Sequence, residues 1–306
     1  MKMDAGMNIC KKKILICGLG IGKLYYSLLK KDYNIITIDS DKNKNADFLN
    51  IEDFLKENYK IDLSIISLPN FLHEEYIYKL SKISNVILVE KPGLKNIEDW
   101  NEASKKCKKL IMVKNNLYRD QLQYIYKIIF EKIDSIKYIH LYWLNKNRIP
   151  YPGSWFTNKE LAFGGVSYDL MPHLLHFLFG IIGINNINKL KIIKNHKCHN
   201  FSLEEIIHTD YGNINKDGVY DVDDYNIILM KYLNINISLI SCWQNNIEDK
   251  REIDIGFTDN SKFKYIFDLC PDYVYKIMID DIIYPSKLKY IDHQKIDKKI
   301  LEIIGG

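Results

Sequence analysis

Three glycines stand where a chain could wrap a phosphate. Gly18, Leu19, Gly20, Ile21 and Gly22 follow the apolar run KILIC and open the helix-like stretch KLYYSLLKK. At such a strand-to-helix turn, glycine permits a tight bend and lets backbone N–H groups approach a pyrophosphate. A lone Gly-x-Gly is common, and a turn without ligand is the bland alternative. The context strengthens it, because Asp39 ends the next apolar run, twenty-one residues after Gly18. A carboxylate there can accept hydrogen bonds from adenosine ribose hydroxyls and repel a 2′-phosphate, which points to NAD. Lys42 and Lys44 nearby keep NADP possible. The third glycine comes one position early, since the full fingerprint would place it at Lys23.

These residues need a scaffold, and the hydrophobic pattern supplies one. Five apolar runs (13–17, 35–38, 63–68, 85–89 and 110–113) alternate with helix-like segments. Strands buried on both faces read as unbroken apolar runs, while their crossover helices read as amphipathic. The pattern predicts an α/β chain that begins with a doubly wound parallel sheet of the Rossmann type. Right-handed crossovers place the strands' C-terminal ends along one edge, where ligands bind. Gly18–Gly22, Asp39, Pro69-Asn70 and Glu90-Lys91-Pro92 all fall there.

Beyond residue 115 the rhythm changes. A long helix is expected over 116–132, a strand over 136–144, and a helix over 168–179 after Gly164-Gly165. From residue 189 strand-like segments separated by short turns predict a large open, mainly antiparallel sheet. The expected organisation is a dinucleotide-binding Rossmann domain over 1–115 and a substrate-binding and oligomerisation α/β domain over 116–306.

Two further edge segments carry a resemblance. Ser67-Leu68-Pro69-Asn70 is followed by His73, and Glu90-Lys91-Pro92 ends the fourth run. Downstream, Gly164-Gly165 leads to Asp169-Leu170-Met171-Pro172-His173, and Asp223-Asp224-Tyr225 enters a strand. From about residue 13 to about residue 268 this arrangement resembles the Gfo/Idh/MocA family of NAD(P)-dependent oxidoreductases. That family includes glucose–fructose oxidoreductase and inositol dehydrogenase. The resemblance implies that Lys91, Asp169 and His173 form the catalytic constellation. It also implies that Ser67, Leu68, Pro69, Asn70, His73, Glu90 and Lys91 border the cofactor.

The chemistry agrees with that implication. Asp169 and His173 are four apart, a spacing that shares one helix face. Oxidising an alcohol needs a base for the hydroxyl proton, and histidine titrates near working pH. A lysine beside the oxygen stabilises developing alkoxide charge. Tyr118 and Arg119 follow the fifth strand, where the family's substrate approaches, and Trp155 could stack on a sugar ring. Against these readings stand plain ones: a loop lysine, an acid favoured at a helix N-terminus, and packed histidine and tryptophan side chains. His176 departs from the family, which often carries an aspartate there.

Other classes fit poorly. The 306 residues carry a net charge of only +4, spread without a basic stripe, so no nucleic-acid partner is expected. His173 and His176, and the group His196, Cys198 and His199, lack the ligand count and spacing of a zinc site, so no metal is expected. Six scattered cysteines read as reduced thiols. The longest apolar stretch, 174–184, is too short to span a bilayer, and no signal peptide is expected. The expected protein is a cytoplasmic homo-dimer or tetramer acting on a small molecule, with oligomer formation implied by the resemblance.

The expected reaction moves hydride between a nicotinamide and a secondary alcohol or ketone of a sugar, cyclitol or nucleotide-linked sugar. Three alternatives remain open. An imine (thiazoline-type) reductase of the same superfamily is suggested by the early third glycine and Tyr25, and opposed by Lys91. A redox-neutral hydrolase would hold NAD permanently. A non-catalytic NAD- or sugar-sensing regulator would show no turnover.

Overall fold

The computed structural model describes residues 11–285 and 291–305. Five parallel strands form the first sheet: β1 (Lys13–Cys17), β2 (Asn34–Ile38), β3 (Ile61–Ile66), β4 (Ser84–Val89) and β5 (Leu110–Met112). Their spatial order is β2-β1-β3-β4-β5. Helices α1 (Gly22–Leu29), α2 (Ile51–Lys56), α3 (His73–Leu80) and α4 (Ile97–Lys106) make the crossovers. Asn50 and Asn96 cap α2 and α4 by accepting the amides of Asp53 and Asp99, with acidic residues in both first turns. Ile14, Leu15 and Ile16 are fully buried, as a central strand covered on both faces requires.

The expected helix over 116–132 starts later. Asn115–Tyr118 form a 3-10 turn, and helix α5 runs over Asp120–Glu131. Asn115 Oδ1 accepts the amide of Asn116, the kind of local side-chain bond that competes with a helix. Strand β6 (Ile136–Leu144) follows, then α6 (Lys159–Ala162), α7 (Val166–Asp169) and α8 (Met171–Ile182). The single helix expected over 168–179 is thus two helices broken at Leu170. Pro172 explains the break, because it has no N–H to continue the α7 ladder yet suits the first turn of α8.

The second sheet adds β7 (Lys191–Cys198), β8 (Tyr225–Tyr232), β9 (Ile235–Cys242), β10 (Lys250–Phe257) and β11 (Lys262–Ile266). Its order is β11-β10-β6-β9-β8-β7, antiparallel except where β6 and β9 run parallel. Helix α8 packs under this sheet with Leu174, Phe177, Leu178 and Ile181 fully buried.

The chain then returns to the first layer. Helix α9 (Asp272–Ile283) lies on α1, where Tyr275 meets Tyr25 edge-on at 5.5 Å and Tyr33 donates to Asp280 at 2.7 Å. Helix α10 (His293–Gly305) packs on α4 and β5. A fully buried ion pair, Lys114 Nζ to Asp297 Oδ1 at 2.8 Å, locks it there, and Asp297 also accepts the Met112 amide at 3.1 Å. Among the described residues, no helix is long and apolar enough to cross a membrane.

Candidate active site

The C-terminal edge of the first sheet faces α7, α8 and the loops of the second sheet across a cavity of about 680 Å³. Its floor is the Gly18–Gly22 turn. Gly18 has φ +88°, and a Cβ there would stand 2.5 Å from the Ser67 carbonyl oxygen, so only glycine fits. At Gly20 an added Cβ would meet no atom within 4 Å, which leaves an open cradle above the start of α1. A Cβ on Gly22 would press on Ser67 and Ile16, so Gly22 already provides the close helix–strand packing that the fingerprint assigns to a later glycine. The turn fits a dinucleotide pyrophosphate.

Asp39 stands at the end of β2. Its carboxylate accepts the amides of Leu19 at 2.6 Å and Asp41 at 2.9 Å, and pairs with Lys44 at 3.0 Å. Burial opposes its ionisation, but the two amides and Lys44 outweigh burial and hold the carboxyl below its ordinary range.

Pro69, Asn70, Leu68, Ser67 and Glu90 line the cavity as the sequence suggests. His73 does not. It is fully buried, with Nδ1 at 2.7 Å from the Gly93 carbonyl and Nε2 at 2.9 Å from that of Leu68. It ties the β3 turn to the β4 turn from beneath, so its place is bracing rather than cofactor contact. Glu90 accepts the Tyr25 hydroxyl at 2.6 Å, and burial pushes its carboxyl up. That bond gives Tyr25 a structural part and removes one reason for the imine-reductase alternative.

Lys91 crosses from the β4 turn to α7. Its Nζ pairs with Asp169 Oδ1 and donates to the Asp169 carbonyl at 3.1 Å. Trp243 donates its indole N–H to Asp169 Oδ2 at 2.9 Å, so both carboxylate oxygens are engaged. Burial alone would depress the Lys91 pKa, but Asp169 outweighs it and the pKa rises, keeping the ammonium charged.

The Gly-Gly segment aims this helix pair. A Cβ on Gly165 would overlap the Asp223 carbonyl oxygen, and the Asp223 carboxylate accepts the amides of Gly165 at 3.0 Å and Ser167 at 2.8 Å. The Asp223-Asp224-Tyr225 segment thus sets where Asp169 and His173 point.

His173 lines the cavity from the first turn of α8. Its ring stacks on Trp143 at 5.2 Å between centroids, and its Nδ1 lies 3.2 Å from Asn116 Nδ2. Burial, then the charges of Lys91 and Arg119, hold its pKa well below the ordinary histidine range. The buried setting and the two cations favour the neutral ring over the imidazolium. His176 is fully buried edge-on to His173, and neither of its ring nitrogens has a hydrogen-bond partner among the described residues.

Two expected substrate contacts lie behind the wall. Tyr118 is buried and donates to Asp281 at 2.9 Å. Arg119 is buried and donates to Asn116 Oδ1 and the Asp268 carbonyl. Trp155 does line the cavity, stacked on Phe156 at 3.9 Å. With it stand Tyr151 and Tyr211, which sequence reasoning missed. Tyr211 sits in the long β7–β8 connection, pinned to the 145–158 loop by the Tyr151 amide to the Tyr211 carbonyl at 2.9 Å and by Asn215 to Pro152 at 2.8 Å. Together they add aromatic faces to the wall of the cavity that Lys91 also lines.

Residues 12–114 match the family model described as oxidoreductase family, NAD-binding Rossmann fold, of the Gfo/Idh/MocA group. Over that first third of its length the chain is similar to the Gfo/Idh/MocA oxidoreductases. A curated oxidoreductase subunit assigned to UDP-kanosamine synthase, from Amycolatopsis mediterranei, is 30% identical over 122 residues. That match covers 39% of this chain and 34% of the relative, so it spans about a third of the relative's length. Solved structures resemble the fold over nearly the whole chain. GenD2 from gentamicin A biosynthesis, in complex with NAD, superposes with a TM-score of 0.77 at 12% identity, covering 96% of this chain and 92% of GenD2. The WlbA dehydrogenase from Bordetella pertussis, in complex with NADH and UDP-GlcNAcA, gives 0.70 at 13% identity, covering 95% and 93%. A myo-inositol dehydrogenase from Corynebacterium glutamicum gives 0.71 at 13% identity, covering 96% and 94%. The match to an NAD-binding Rossmann model over residues 12–114 makes NAD the cofactor of the glycine turn.

Proposed function

We propose that this chain is a Gfo/Idh/MocA-type, NAD(H)-dependent dehydrogenase or reductase that interconverts a secondary alcohol and a ketone on a sugar. Nucleotide-linked sugars are the first substrates to test, with cyclitols next. The observation that carries the reading is the meeting of Lys91, Asp169 and His173 in the cavity that also holds Gly18, Gly20 and Asp39. When bound, NAD(H) supplies or accepts the hydride. Gly18–Gly22 and Asp39 would hold its adenosine half, and Ser67–Asn70 and Glu90 its other half. Lys91 stabilises charge on the reacting oxygen, a role worth about 10²–10³ in rate at comparable sites. Asp169 and Trp243 fix the Lys91 ammonium. Trp155, Tyr151 and Tyr211 offer ring faces of the kind that sugars stack on. The chain's similarity to relatives named for sugar nucleotides favours the same class.

The test is a spectrophotometric panel of UDP- and dTDP-linked sugars, keto sugars, free hexoses and cyclitols with NAD and NADH. Turnover confined to one class supports the proposal. No turnover with any of them, alongside saturable sugar binding, would replace it with a sensor. A homo-dimer or tetramer through the open face of the second sheet, in the cytoplasm, belongs to the same proposal, and light scattering reads its oligomeric part.

A further inference from the structure

The hydrogen bonds behind His173 run in one direction only. Arg119 has no acceptor atom, so the group that receives its Nε–H at 2.7 Å must be the Asn116 amide oxygen. The Arg119 side chain cannot easily turn away, because its Nη2 donates to the Asp268 carbonyl at 2.7 Å and its guanidinium lies 5.6 Å from the Phe177 ring centre. With the oxygen fixed, the Asn116 amide nitrogen faces His173 Nδ1 at 3.2 Å as a donor. Nδ1 must then offer its lone pair, and a neutral imidazole that accepts at Nδ1 carries its proton on Nε2.

We propose that Arg119 and Asn116 hold His173 as the Nε2–H tautomer, so that His173 is a neutral hydrogen-bond donor to the substrate oxygen and Lys91 is the proton donor. This rests on the ketone–alcohol reading above. In the reducing direction the carbonyl carbon gains a hydride from the reduced nicotinamide and the C=O π pair moves onto oxygen. A Lys91 Nζ–H bond breaks, an O–H bond forms, and the alcohol leaves a neutral Lys91 that takes a proton from water. His173 loses no proton, since giving up its Nε2–H would leave an imidazolate. Protonating Nδ1 instead would set a second donor against the Asn116 amide. The groups around the ring agree: Lys91 and Arg119 are cationic, His176 has no hydrogen-bond partner among the described residues, and the Asp169 carboxylate is spent on Lys91 and Trp243. Asn116 and Arg119 are positioning residues, and the short Asn-x-x-Arg spacing is their only trace in the sequence.

The test reads the tautomer directly. Full-length protein labelled with ¹⁵N-histidine is examined by long-range ¹H–¹⁵N NMR without cofactor, and the His173 signals are identified by their loss in His173→Gln. The expected result is a neutral ring protonated at Nε2. Asn116→Asp keeps the shape and the Arg119 contact but presents an acceptor, and should switch the signals to the Nδ1–H form. With an active ketone substrate, the same variant should lose about 10²–10³-fold in kcat with little change in KM, as when one aimed donor is removed. A wild-type ring protonated at Nδ1, or charged at neutral pH, overturns the inference whatever the variant does. An Nε2–H ring in a protein that turns over no carbonyl substrate retains the tautomer lock and removes the assigned catalytic roles along with the proposed function.

Discussion

Replacing Asp39 by alanine should turn an NAD site toward NADP. In the folded protein the Asp39 carboxylate is fixed by the amides of Leu19 and Asp41 and paired with Lys44. In this fold the acid at the end of the second strand receives the adenosine ribose hydroxyls. A hydrogen bond to a charged group contributes about 1.5–3 kcal/mol. Losing one should weaken NADH binding by about 10- to 150-fold. NADPH should respond oppositely. Its 2′-phosphate no longer meets a carboxylate, and Lys44, only 29% exposed and released from its partner, can turn to it. Fluorescence titration of both reduced cofactors reads the result, with thermal melting as a folding control. The double variant Asp39→Ala/Lys44→Ala should keep the NADH loss and lose the NADPH gain. Wild-type NADH affinity in Asp39→Ala, or tighter binding of NADPH than NADH by the wild type, would refute the reasoning.

Three other outcomes follow from the same geometry. Lys91→Met should lower kcat by about 10²–10³-fold while NADH affinity, measured by titration, stays within a few-fold. Stability should fall with acid below about pH 6.5, because burial depresses His173 and His176 strongly and takes His293 to about 2. The unfolded chain binds those protons first, so each histidine adds a slope of up to about 1.4 kcal/mol per pH unit below that point; melting His176→Phe across pH 5–7 should show a shallower slope. Lys114→Met leaves Asp297 buried without its partner and should cost about 3–5 kcal/mol in denaturant unfolding, most of it recovered in Lys114→Met/Asp297→Asn.

The first sheet was legible because its physics is local. Strands buried on both faces must be apolar throughout, and the turns between them must break at the same edge, so the sequence alone places Gly18, Asp39, Asn70 and Lys91 along one line. The second sheet was legible only in outline. Its strands alternate as expected, but the parallel pairing of β6 with β9 joins segments far apart in sequence. No local pattern reports such a pairing. The segment 168–179 departs from one helix for a smaller reason: the i, i+4 spacing of Asp169 and His173 suits one helix, but Pro172 between them cannot continue the ladder.

Residue type and spacing pointed to many of the side chains that line the cavity, while the chemistry open to each depends on partners that the motifs do not name. A histidine suggests a base because its free pKa is near neutral, yet that value belongs to a solvated ring with both nitrogens open. At His173 one nitrogen is committed to Asn116, and a buried setting and two cations disfavour the charged form. A lysine suggests a fixed charge, yet Lys91 is the group whose proton is held close to the cavity by a carboxylate that can balance it. On the proposed reading both roles are set by partners distant in sequence: Asn116 for His173, Asp169 and Trp243 for Lys91. Chemistry in this site therefore follows from the hydrogen-bond directions behind it. Substitutions at Asn116, Arg119 and Trp243 should change the reaction while leaving every residue of the recognisable motifs in place.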